Sequence, residues 1–296
     1  RRIVDNESRF IQDNARRERQ EETMPEAPDL EVIKEFLNRE VQGKAVEGAK
    51  VIRPTVIRSI AGDFASDIQG RTFGPFHRKG KFLLGELSGD RCLVINPMLT
   101  GALQYCEPKV RVLKKTCFTL GLTGGAELRY LDDRQMGLVY YVTEDQMSEV
   151  PRLEDQGADV LSGISLEEFR SRLTRFHGEI KGVLTRGAFI SGIGNAYSDE
   201  ILFAARLSPL RKTRSLGDQE LELLHEQCRA VVVEAREVLR ERMGNDIHIK
   251  IRDFLKVHRK GGQPCPRCGG NITQINANQR ITSYCRHCQS GMLIKN

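Results

Sequence analysis

The sequence predicts an α+β fold of several domains: an N-terminal helix with an antiparallel β-sandwich, a helical domain, and a small C-terminal module built around cysteines. Three observations support this prediction. Eight short strand-like runs, separated by glycines, fill about a hundred residues of the first half. Helical periodicity dominates after Pro151. The last third ends in two Cys-x-x-Cys pairs.

The composition is that of a globular chain with room for two or three modules. The chain has 296 residues, of which 39% are hydrophobic and 29% are charged. It contains no uninterrupted stretch of about 18 apolar residues, so we expect no membrane-spanning helix. The net charge of +6 permits DNA or RNA as a partner but does not require one.

Residues 1–23 differ in composition from the rest of the chain. They hold six arginines and six acids with few apolar residues, which predicts a frayed helix or disorder. A translated leader before a true start at Met24 is the second interpretation. Gln20-Glu21-Glu22-Thr23 supports it, because codons for these residues can contain AGGAGG at ribosome-binding distance. A native N-terminal mass that begins at Arg1 would refute the leader.

The first helix is predicted over residues 30–41, where apolar residues follow a helical period. Asp29 is its expected cap, and Gly43 is its expected end. The eight strand-like runs follow this helix, and their alternation predicts a sandwich or a barrel. They are residues 45–52, 71–78, 81–87, 91–96, 102–106, 111–120, 127–131 and 137–142.

Four helices are predicted after Pro151, over residues 166–176, 180–185, 197–205 and 218–243. The sequence Ser191-Gly-Ile-Gly-Asn195 lies directly before the third. Two glycines in such a link allow backbone amides to approach a phosphate, although an ordinary turn between packed helices also uses them.

Four cysteines define the C-terminal module: Cys265 and Cys268 form one close pair, and Cys285 and Cys288 form the other after sixteen residues. This spacing supplies four sulfur ligands for one structural zinc ion and leaves no coordination position open for chemistry. Two disulfides are the alternative, but the chain's other cysteines are scattered singly, as in a reducing cytoplasm. Residues 250–296 carry nine Lys/Arg and one acid, which suggests contact with nucleic acid.

The ordered combination of these features resembles the bacterial formamidopyrimidine-DNA glycosylase and endonuclease VIII family of base-excision repair enzymes. The resemblance extends from Met24 to the C-terminus, and residues 192–200 and 262–289 carry it most strongly. It implies a catalytic β-sandwich domain at 24–150, a helix-two-turn-helix DNA-binding domain at 151–257 and a zinc finger at 258–296. Residues 1–23 would be an extension of this plan.

The resemblance also implies catalytic roles for three residues. Pro25, exposed as the N-terminus after removal of Met24, would attack C1′ of a damaged nucleotide through its secondary amine. A terminal amine has a pKa near ~8, so a useful fraction is neutral at pH 7. Glu26 would move protons to and from the sugar ring oxygen, and Lys81 would hold a backbone phosphate. The alternatives are an ordinary first-turn proline, a carboxylate facing the helix dipole and a solvated lysine.

Five further residues would contact damaged double-stranded DNA according to the same resemblance. Asn195 and Arg280 would hold the phosphates that flank the lesion. Arg134 would enter the duplex opposite the vacated position. Leu99 and Met136 would fill the gap as apolar wedges. The simpler alternatives are surface charges for Arg134 and ordinary core positions for the two apolar residues.

Three departures from the family pattern are visible. In a chain beginning at Arg1, the nitrogen of Pro25 is an amide and cannot attack a sugar. Asn96, Leu99 and Met136 replace the usual His, Met and Phe, and Gln135 replaces an Arg. Residues 244–257 are too short to form the usual lid over a flipped 8-oxoguanine, so we expect 8-oxoguanine to be excised poorly relative to ring-opened purines or oxidised pyrimidines.

The sequence therefore predicts a monomeric, cytoplasmic and nucleoid-associated bacterial DNA glycosylase with abasic-site lyase activity and one structural zinc. A non-catalytic member of the family that binds damaged DNA is the main alternative. A zinc-ribbon protein unrelated to repair is a third hypothesis, but it leaves the Met24-Pro-Glu26 start and the residue 192–200 motif unexplained.

Overall fold

The computed structural model describes residues 24–277 and 280–289. The predicted extension at 1–23 lies outside the described residues, as do Asn278 and Gln279 in the finger. Within the described ranges, no helix is long and apolar enough to cross a bilayer. The secondary structure is a mixture of helices and antiparallel sheets, as the sequence predicts.

Helix α1 (Ala27–Glu40) starts earlier than predicted. Glu26, not Asp29, is the residue before its first turn, and Glu26 N donates a hydrogen bond of 2.9 Å to Asp29 Oδ2. The expectation of Asp29 as the cap was therefore wrong: Asp29 lies three residues into the helix and accepts from the cap backbone. The helix ends before Gly43. The φ of 84° at Gly43 lies in the left-handed region, which glycine adopts without strain, so the chain can turn away from the helix there.

Nine strands follow and form two sheets. They are β1 (Val46–Val51), β2 (Ile57–Ser59), β3 (Phe73–Lys79), β4 (Phe82–Leu87), β5 (Arg91–Asn96), β6 (Ala102–Cys106), β7 (Thr116–Leu122), β8 (Ala126–Leu131) and β9 (Leu138–Val142). One sheet has the order β1-β7-β8-β6, and the other has the order β2-β9-β5-β4-β3. All the pairs are antiparallel except β2 with β9.

The eight predicted runs each overlap one of these strands. The strand predicted at 111–120 begins later, at Thr116, and the short parallel strand β2 has no counterpart in the prediction. Between β2 and β3 lies the short helix α2 (Phe64–Asp67). Its Phe64 ring packs edge-on against Phe118 of one sheet and Tyr141 of the other, at centroid distances of 5.2 and 5.6 Å. One fully buried aromatic ring of this kind contributes about 1.5–3 kcal/mol to folding.

Four longer helices and a pair of short strands make up the second half. They are β10 (Ala158–Asp159), α3 (Leu166–Leu173), α4 (Ile180–Leu184), β11 (Ile190–Ser191), α5 (Asn195–Ala204) and α6 (Asp218–Arg242). The predicted apolar stripe of α6 is buried at five positions: Leu224, Cys228, Val232 and Ala235 lie in the core of the helical half, and Leu239 lies in the core of the sandwich. The finger adds the hairpin β12 (Ile272–Ala277) and β13 (Arg280–Cys285).

The sandwich half and the helical half each contribute the end of a helix to the core of the other. Ala27, at the start of α1, belongs to the apolar core of the helical half. Leu239, Met243 and Ile247, at and beyond the end of α6, belong to the core of the sandwich. The domain limits at 150/151 and 257/258 stay predictions, but these shared cores bring the start of the sandwich domain against α5, where the site forms.

Candidate functional site

The carboxylate of Glu26 lies at the N-terminus of α5. Its Oε2 accepts from the backbone N–H of Gly194 at 2.5 Å and of Tyr197 at 3.2 Å, and its Oε1 accepts from Ala196 N at 2.8 Å. A helix N-terminus has unsatisfied N–H groups and a partial positive charge, so it holds an anion well. The backbone amides before and at the start of α5 were expected to be able to approach a phosphate. They instead bind the carboxylate of Glu26 and fix it in one position.

Two glycines make this approach possible. A Cβ on Gly194 would lie 2.4 Å from Cδ of Glu26, so a side chain there would displace the carboxylate. Gly192 has a φ of 95°, and a Cβ there would lie 2.6 Å from Cβ of Ala27. Its carbonyl accepts from Ala27 N at 2.9 Å. The Gly-x-Gly sequence thus seats the start of α1 on the start of α5.

A buried ion pair fixes the first turn of α1 from its other side. The guanidinium of Arg252 donates to both oxygens of Asp29, at 2.6 and 2.7 Å, and both side chains are almost fully buried. The same guanidinium lies over the ring of Tyr197 in α5, 5.5 Å from its centroid. The helix turn that follows Pro25 and Glu26 is therefore attached to the segment after α6.

Lys81 lies in the two-residue turn between β3 and β4, next to Gly80. Arg78, just before this turn, donates to Glu31 of α1 at 2.7 Å and to both oxygens of Asp159, at 2.5 and 2.7 Å. One buried guanidinium therefore attaches the hairpin both to α1 and to β10. Lys81 is placed against the Glu26 site by this attachment.

The charge on Lys81 is disfavoured. Burial lowers the pKa of its ammonium, Glu26 raises it in part, and Arg280 lowers it further. These opposing effects place Lys81, Glu26 and Arg280 in one electrostatic neighbourhood. In the described ranges no hydrogen bond or ion pair engages the Lys81 Nζ, so the ammonium is available to an anion.

Asn195 and Arg280 approach this neighbourhood from α5 and the finger. The carbonyl of Ile281, next to Arg280, accepts from Asn195 Nδ2 at 2.9 Å and from Lys181 Nζ at 2.7 Å. The Arg280 side chain is exposed and donates weakly to Thr185 Oγ1 at 3.4 Å. Asn195 Oδ1 is buried and makes no hydrogen bond to any of the described residues. The geometry brings Pro25, Glu26, Lys81, Asn195 and Arg280 to one place.

Sequence reasoning missed the residues that hold the finger. Asp199 of α5 forms an ion pair with Lys181 at 2.7 Å, contacts His258 Nδ1 at 2.7 Å and accepts from Ser283 N at 3.1 Å. The neighbouring Glu200 accepts from three consecutive backbone amides, of residues 256–258. One feature of the sequence could have indicated these contacts: the adjacent acids Asp199 and Glu200 lie inside a mostly apolar helix, and buried carboxylates need partners.

The two predicted wedge residues, Leu99 and Met136, and Arg134 lie on two loops that one buried carboxylate joins. We call residues 97–101 the first wedge loop and residues 132–137 the second. Asp132 Oδ1 accepts from Thr100 Oγ1 in the first loop, and its Oδ2 accepts from Gly137 N at 2.6 Å in the second. Leu99 is half-buried, whereas Arg134 and Met136 are exposed. The Asp132 carboxylate therefore links the two loops.

A cleft separates the first wedge loop from Pro25. It is narrow, with a cavity volume of about 20 Å³, and its lining is mostly apolar. Residues 247–250 form the third wall, and Lys250 Nζ donates to the Leu99 carbonyl at 2.9 Å. Leu99 is in this way placed on the same side of the molecule as Pro25.

The four predicted zinc ligands meet in the finger. The Sγ atoms of Cys265, Cys268, Cys285 and Cys288 all lie within 4.8 Å of one another, and all four thiols are free. Sγ separations of 3.9 Å (Cys265–Cys288) and 3.5 Å (Cys268–Cys285) are near the edge of about 3.8 Å expected for a ZnS₄ tetrahedron. The alternative of two disulfides was therefore wrong, and this donor set fits one structural zinc.

Three family models match the chain, and together they cover most of it. The formamidopyrimidine-DNA glycosylase N-terminal domain matches residues 24–139, and the formamidopyrimidine-DNA glycosylase H2TH domain matches residues 158–245. The zinc finger found in FPG and IleRS matches residues 262–291. The third match agrees with the zinc site that the cysteine geometry supports.

Curated relatives and solved structures agree with these matches. The formamidopyrimidine-DNA glycosylase of Pelotomaculum thermopropionicum is 32% identical over 273 residues, covering 90% of this chain and 99% of the relative. That of Symbiobacterium thermophilum is 33% identical over 275 residues, with coverages of 90% and 89%. The Lactococcus lactis Fpg in complex with abasic-site DNA shares the fold, with a TM-score of 0.82, 24% identity and coverages of 90% and 100%. The chain therefore belongs to the formamidopyrimidine-DNA glycosylase family.

Proposed function

We propose that this protein is a bifunctional DNA glycosylase and abasic-site lyase that acts on oxidised or ring-opened bases in double-stranded DNA. The observation that carries the proposal is the placement of Pro25 beside the anchored carboxylate of Glu26, with Lys81 and Arg280 in the same neighbourhood. Relatives bearing the glycosylase name, and structures of a similar fold bound to lesion-containing DNA, support it.

The nucleophile is the secondary amine of Pro25 in a chain that begins at this residue. The amine forms a bond to C1′, and the bond between C1′ and the damaged base breaks. Proton transfer to the ring oxygen O4′ then opens the sugar and leaves an iminium between proline and C1′. Loss of a C2′ proton to a base expels the 3′ phosphate, and a second elimination expels the 5′ phosphate, so the strand is cut on both sides.

Glu26 is the group that moves protons in this scheme. Its Oε2 accepts two backbone bonds, whereas Oε1 accepts one and keeps a lone pair for a proton. Because both oxygens are held by α5, the carboxylate cannot swing away when its charge changes. A positioned carboxylate of this kind contributes typically 10²–10⁴-fold to a rate.

The cations around the carboxylate bind the DNA backbone. Lys81 and Arg280 contact phosphates near the lesion, and the Asn195 amide contributes a neutral contact beside them. Arg134, Leu99 and Met136 enter the duplex from the two wedge loops, and the flipped nucleotide leaves the helix toward Pro25. Cys265, Cys268, Cys285 and Cys288 hold the zinc, which stabilises the finger that carries Arg280 and takes no part in the reaction.

The test is borohydride trapping on an abasic-site duplex with protein that begins at Pro25. We expect a covalent protein–DNA adduct, and we expect none from a matched protein that retains Met24, because its proline nitrogen is an amide. Peptide mapping should place the adduct on Pro25. Tight binding of abasic DNA without any adduct would overturn the lyase proposal and favour a non-catalytic binder of damaged DNA.

A further inference from the structure

The carbonyl of Ile281 is the point where the finger hairpin meets α4 and α5. It accepts from Asn195 Nδ2 at 2.9 Å and from Lys181 Nζ at 2.7 Å, and Arg280 precedes it in β13. Lys181 also donates to Thr282 Oγ1 at 2.9 Å. The Lys181 ammonium therefore attaches the strand that carries Arg280 to α4, beside Asn195.

The position of this ammonium depends on a buried carboxylate. Burial lowers the pKa of Lys181, and the charge of Asp199 raises it in part. The two side chains form an ion pair at 2.7 Å, in which the Asp199 side chain is fully buried. A buried cation without its partner loses its proton or moves toward water. Asp199 therefore keeps Lys181 charged and directed at the Ile281 carbonyl.

Asp199 in turn relies on His258. Its Oδ2 accepts from His258 Nδ1 at 2.7 Å and from the backbone N of Ser283 at 3.1 Å. Because an ionised carboxylate only accepts hydrogen bonds, Nδ1 is the protonated ring nitrogen in this contact. A buried ion pair is stable only when further donors satisfy the remaining lone pairs of its carboxylate. The buried imidazole of His258 is one of those donors.

The backbone around His258 is fixed by the neighbouring acid of α5. Glu200 accepts from the amides of residues 256–258, at distances of 2.8, 2.9 and 2.8 Å. The next residue, Arg259, donates from its backbone N to Ser283 Oγ at 3.0 Å. Two adjacent acids of one helix thus hold the backbone and the ring of the same histidine, and its position relative to β13 is set.

From these contacts we infer that His258 is a positioning residue for the phosphate contacts at the finger. The ring orients Asp199, Asp199 orients Lys181, and Lys181 holds the carbonyl beside Arg280. His258 itself touches neither DNA nor the reacting atoms. The inference rests on the proposed function, because it takes Arg280 as a phosphate contact. An ordinary core histidine would contribute to stability alone, and its loss would not act through Arg280.

The test compares His258→Phe with Arg280→Ala on a duplex that contains a tetrahydrofuran abasic analogue. Phenylalanine keeps an aromatic ring but has no donor for Asp199. One phosphate contact contributes about 0.9 to the slope of log K against log salt, so each variant should reduce the slope by about 0.9. His225→Phe is the matched control, because this half-buried histidine of α6 contacts the carbonyl of Ile164 and not the finger. Its slope should be that of the wild type.

A double-variant cycle shows whether His258 acts through Arg280. His258→Phe/Arg280→Ala should have the slope and the affinity of Arg280→Ala, whereas additive losses would overturn the inference. His258→Asn should restore most of the binding, because its amide nitrogen lies as many bonds from the backbone as Nδ1 does. In single-turnover excision by His258→Phe, the maximal rate should be unchanged. The DNA concentration for half-maximal rate should rise about 10-fold, as for one charge-assisted contact.

The remaining outcomes identify what has failed. An unchanged slope for His258→Phe with a reduced slope for Arg280→Ala would overturn the inference and retain the proposed phosphate contact. An unchanged slope for Arg280→Ala would overturn both. Loss of zinc from purified His258→Phe would show that the ring holds the whole finger, which would also overturn the inference. Borohydride trapping by the wild-type protein tests the proposed lyase independently of His258.

Discussion

Asp29 and Arg252 form a buried ion pair between residues 223 positions apart in the chain, with two hydrogen bonds of 2.6 and 2.7 Å. The pair attaches the first turn of α1 to the segment after α6. Burial alone would lower the pKa of Arg252, but the charges of Asp29, Tyr197 and Glu26 raise it above the ordinary value. Arg252 therefore stays charged. Removal of Asp29 would leave that charge buried and unpaired and would lower the free energy of unfolding.

We predict that Arg252→Met destabilises the protein by about 3–5 kcal/mol, because it leaves the Asp29 carboxylate buried and unpaired. Urea unfolding monitored by circular dichroism measures the loss. The double variant Asp29→Asn/Arg252→Met should be less affected than Arg252→Met, since no charge remains buried. A single variant as stable as the wild type would contradict this account of the pair.

Glu26→Gln should keep the fold and lose the chemistry. The amide oxygen can still accept from the α5 backbone, but the side chain no longer accepts a proton as a carboxylate does. We expect base excision under single-turnover conditions to slow by about 10²–10⁴-fold. Glu40→Gln, which changes a partly exposed carboxylate at the other end of the same helix, is the matched control. Excision by Glu26→Gln at the wild-type rate would exclude Glu26 from proton transfer.

We predict that the proposed phosphate contact of Lys81 makes DNA binding depend on pH. The pKa of Lys81 lies below 10.5, so as the pH rises this side chain loses its charge, and with it a phosphate contact, before an ordinary lysine would. The contact is worth about 1.5–3 kcal/mol, or about 10- to 100-fold in affinity. Fluorescence anisotropy from pH 7 to about pH 10 measures the decline. Lys81→Arg should show no such decline, since guanidinium remains protonated.

The lowered pKa of Lys81 also affects stability, but in the opposite direction: DNA affinity should fall as the pH rises, whereas the free energy of unfolding should increase. Between the lowered pKa and 10.5 the unfolded chain binds more protons than the folded one, so the free energy of unfolding should rise with pH in that window. Lys81→Met should remove this rise. Parallel pH dependences of stability in the wild type and Lys81→Met would show that Lys81 is not the group responsible.

Removal of zinc should release the finger before the sandwich unfolds. The finger contributes only Cys265, Ile272 and Cys285 to a small apolar cluster that Phe203 of α5 and Val257 complete, so its folding depends on the metal. We expect one zinc per chain by elemental analysis. After chelation we expect weaker binding to abasic DNA and an intact thermal transition of the sandwich. Cys268→Ser should reproduce this loss, and Cys106→Ser should not. A finger that remains folded without metal would refute the ligand set.

Two residues of the segment after α6 are held in place by buried carboxylates, and their spacing is the physical reason to expect weak excision of 8-oxoguanine. Arg252 is held by Asp29, and the amide of Lys256 is held by Glu200 at 2.8 Å. Three residues lie between these two, too few for a loop that covers a flipped base. Single-turnover excision should be slower for 8-oxoguanine than for a formamidopyrimidine lesion in matched duplexes. Equal rates would contradict the prediction.

Local patterns in the sequence were sufficient for the zinc finger and for most of the fold. The Cys265-to-Cys288 spacing fixed the ligands because a metal needs only side-chain type and distance along the chain. Alternation predicted the strands, but it cannot detect a three-residue strand such as β2, whose parallel pairing with β9 depends on the rest of the sheet. Asp29 looked like a cap because a carboxylate before an apolar run usually is one.

The supporting contacts of the site could not be predicted in this way. Asp199 meets Lys181, His258 and Ser283, which come from three separate segments, and no periodicity relates their positions. The Glu26 carboxylate was expected to face its own helix or a substrate, whereas it caps α5. Such contacts follow from tertiary packing. The roles of Pro25, Glu26, Lys81, Asn195 and Arg280 remain predictions that the experiments above address.

The long sequence separation between Glu26 and its partners has a consequence for protein synthesis. Gly194 follows Glu26 by 168 residues, and Arg252 follows Asp29 by 223. Both sheets are complete in a nascent chain that has reached β9, but such a chain lacks every donor to the Glu26 carboxylate. Truncated translation products would therefore carry Pro25 without an assembled site around it, so the proposed chemistry at Pro25 would require synthesis of the chain at least through α5.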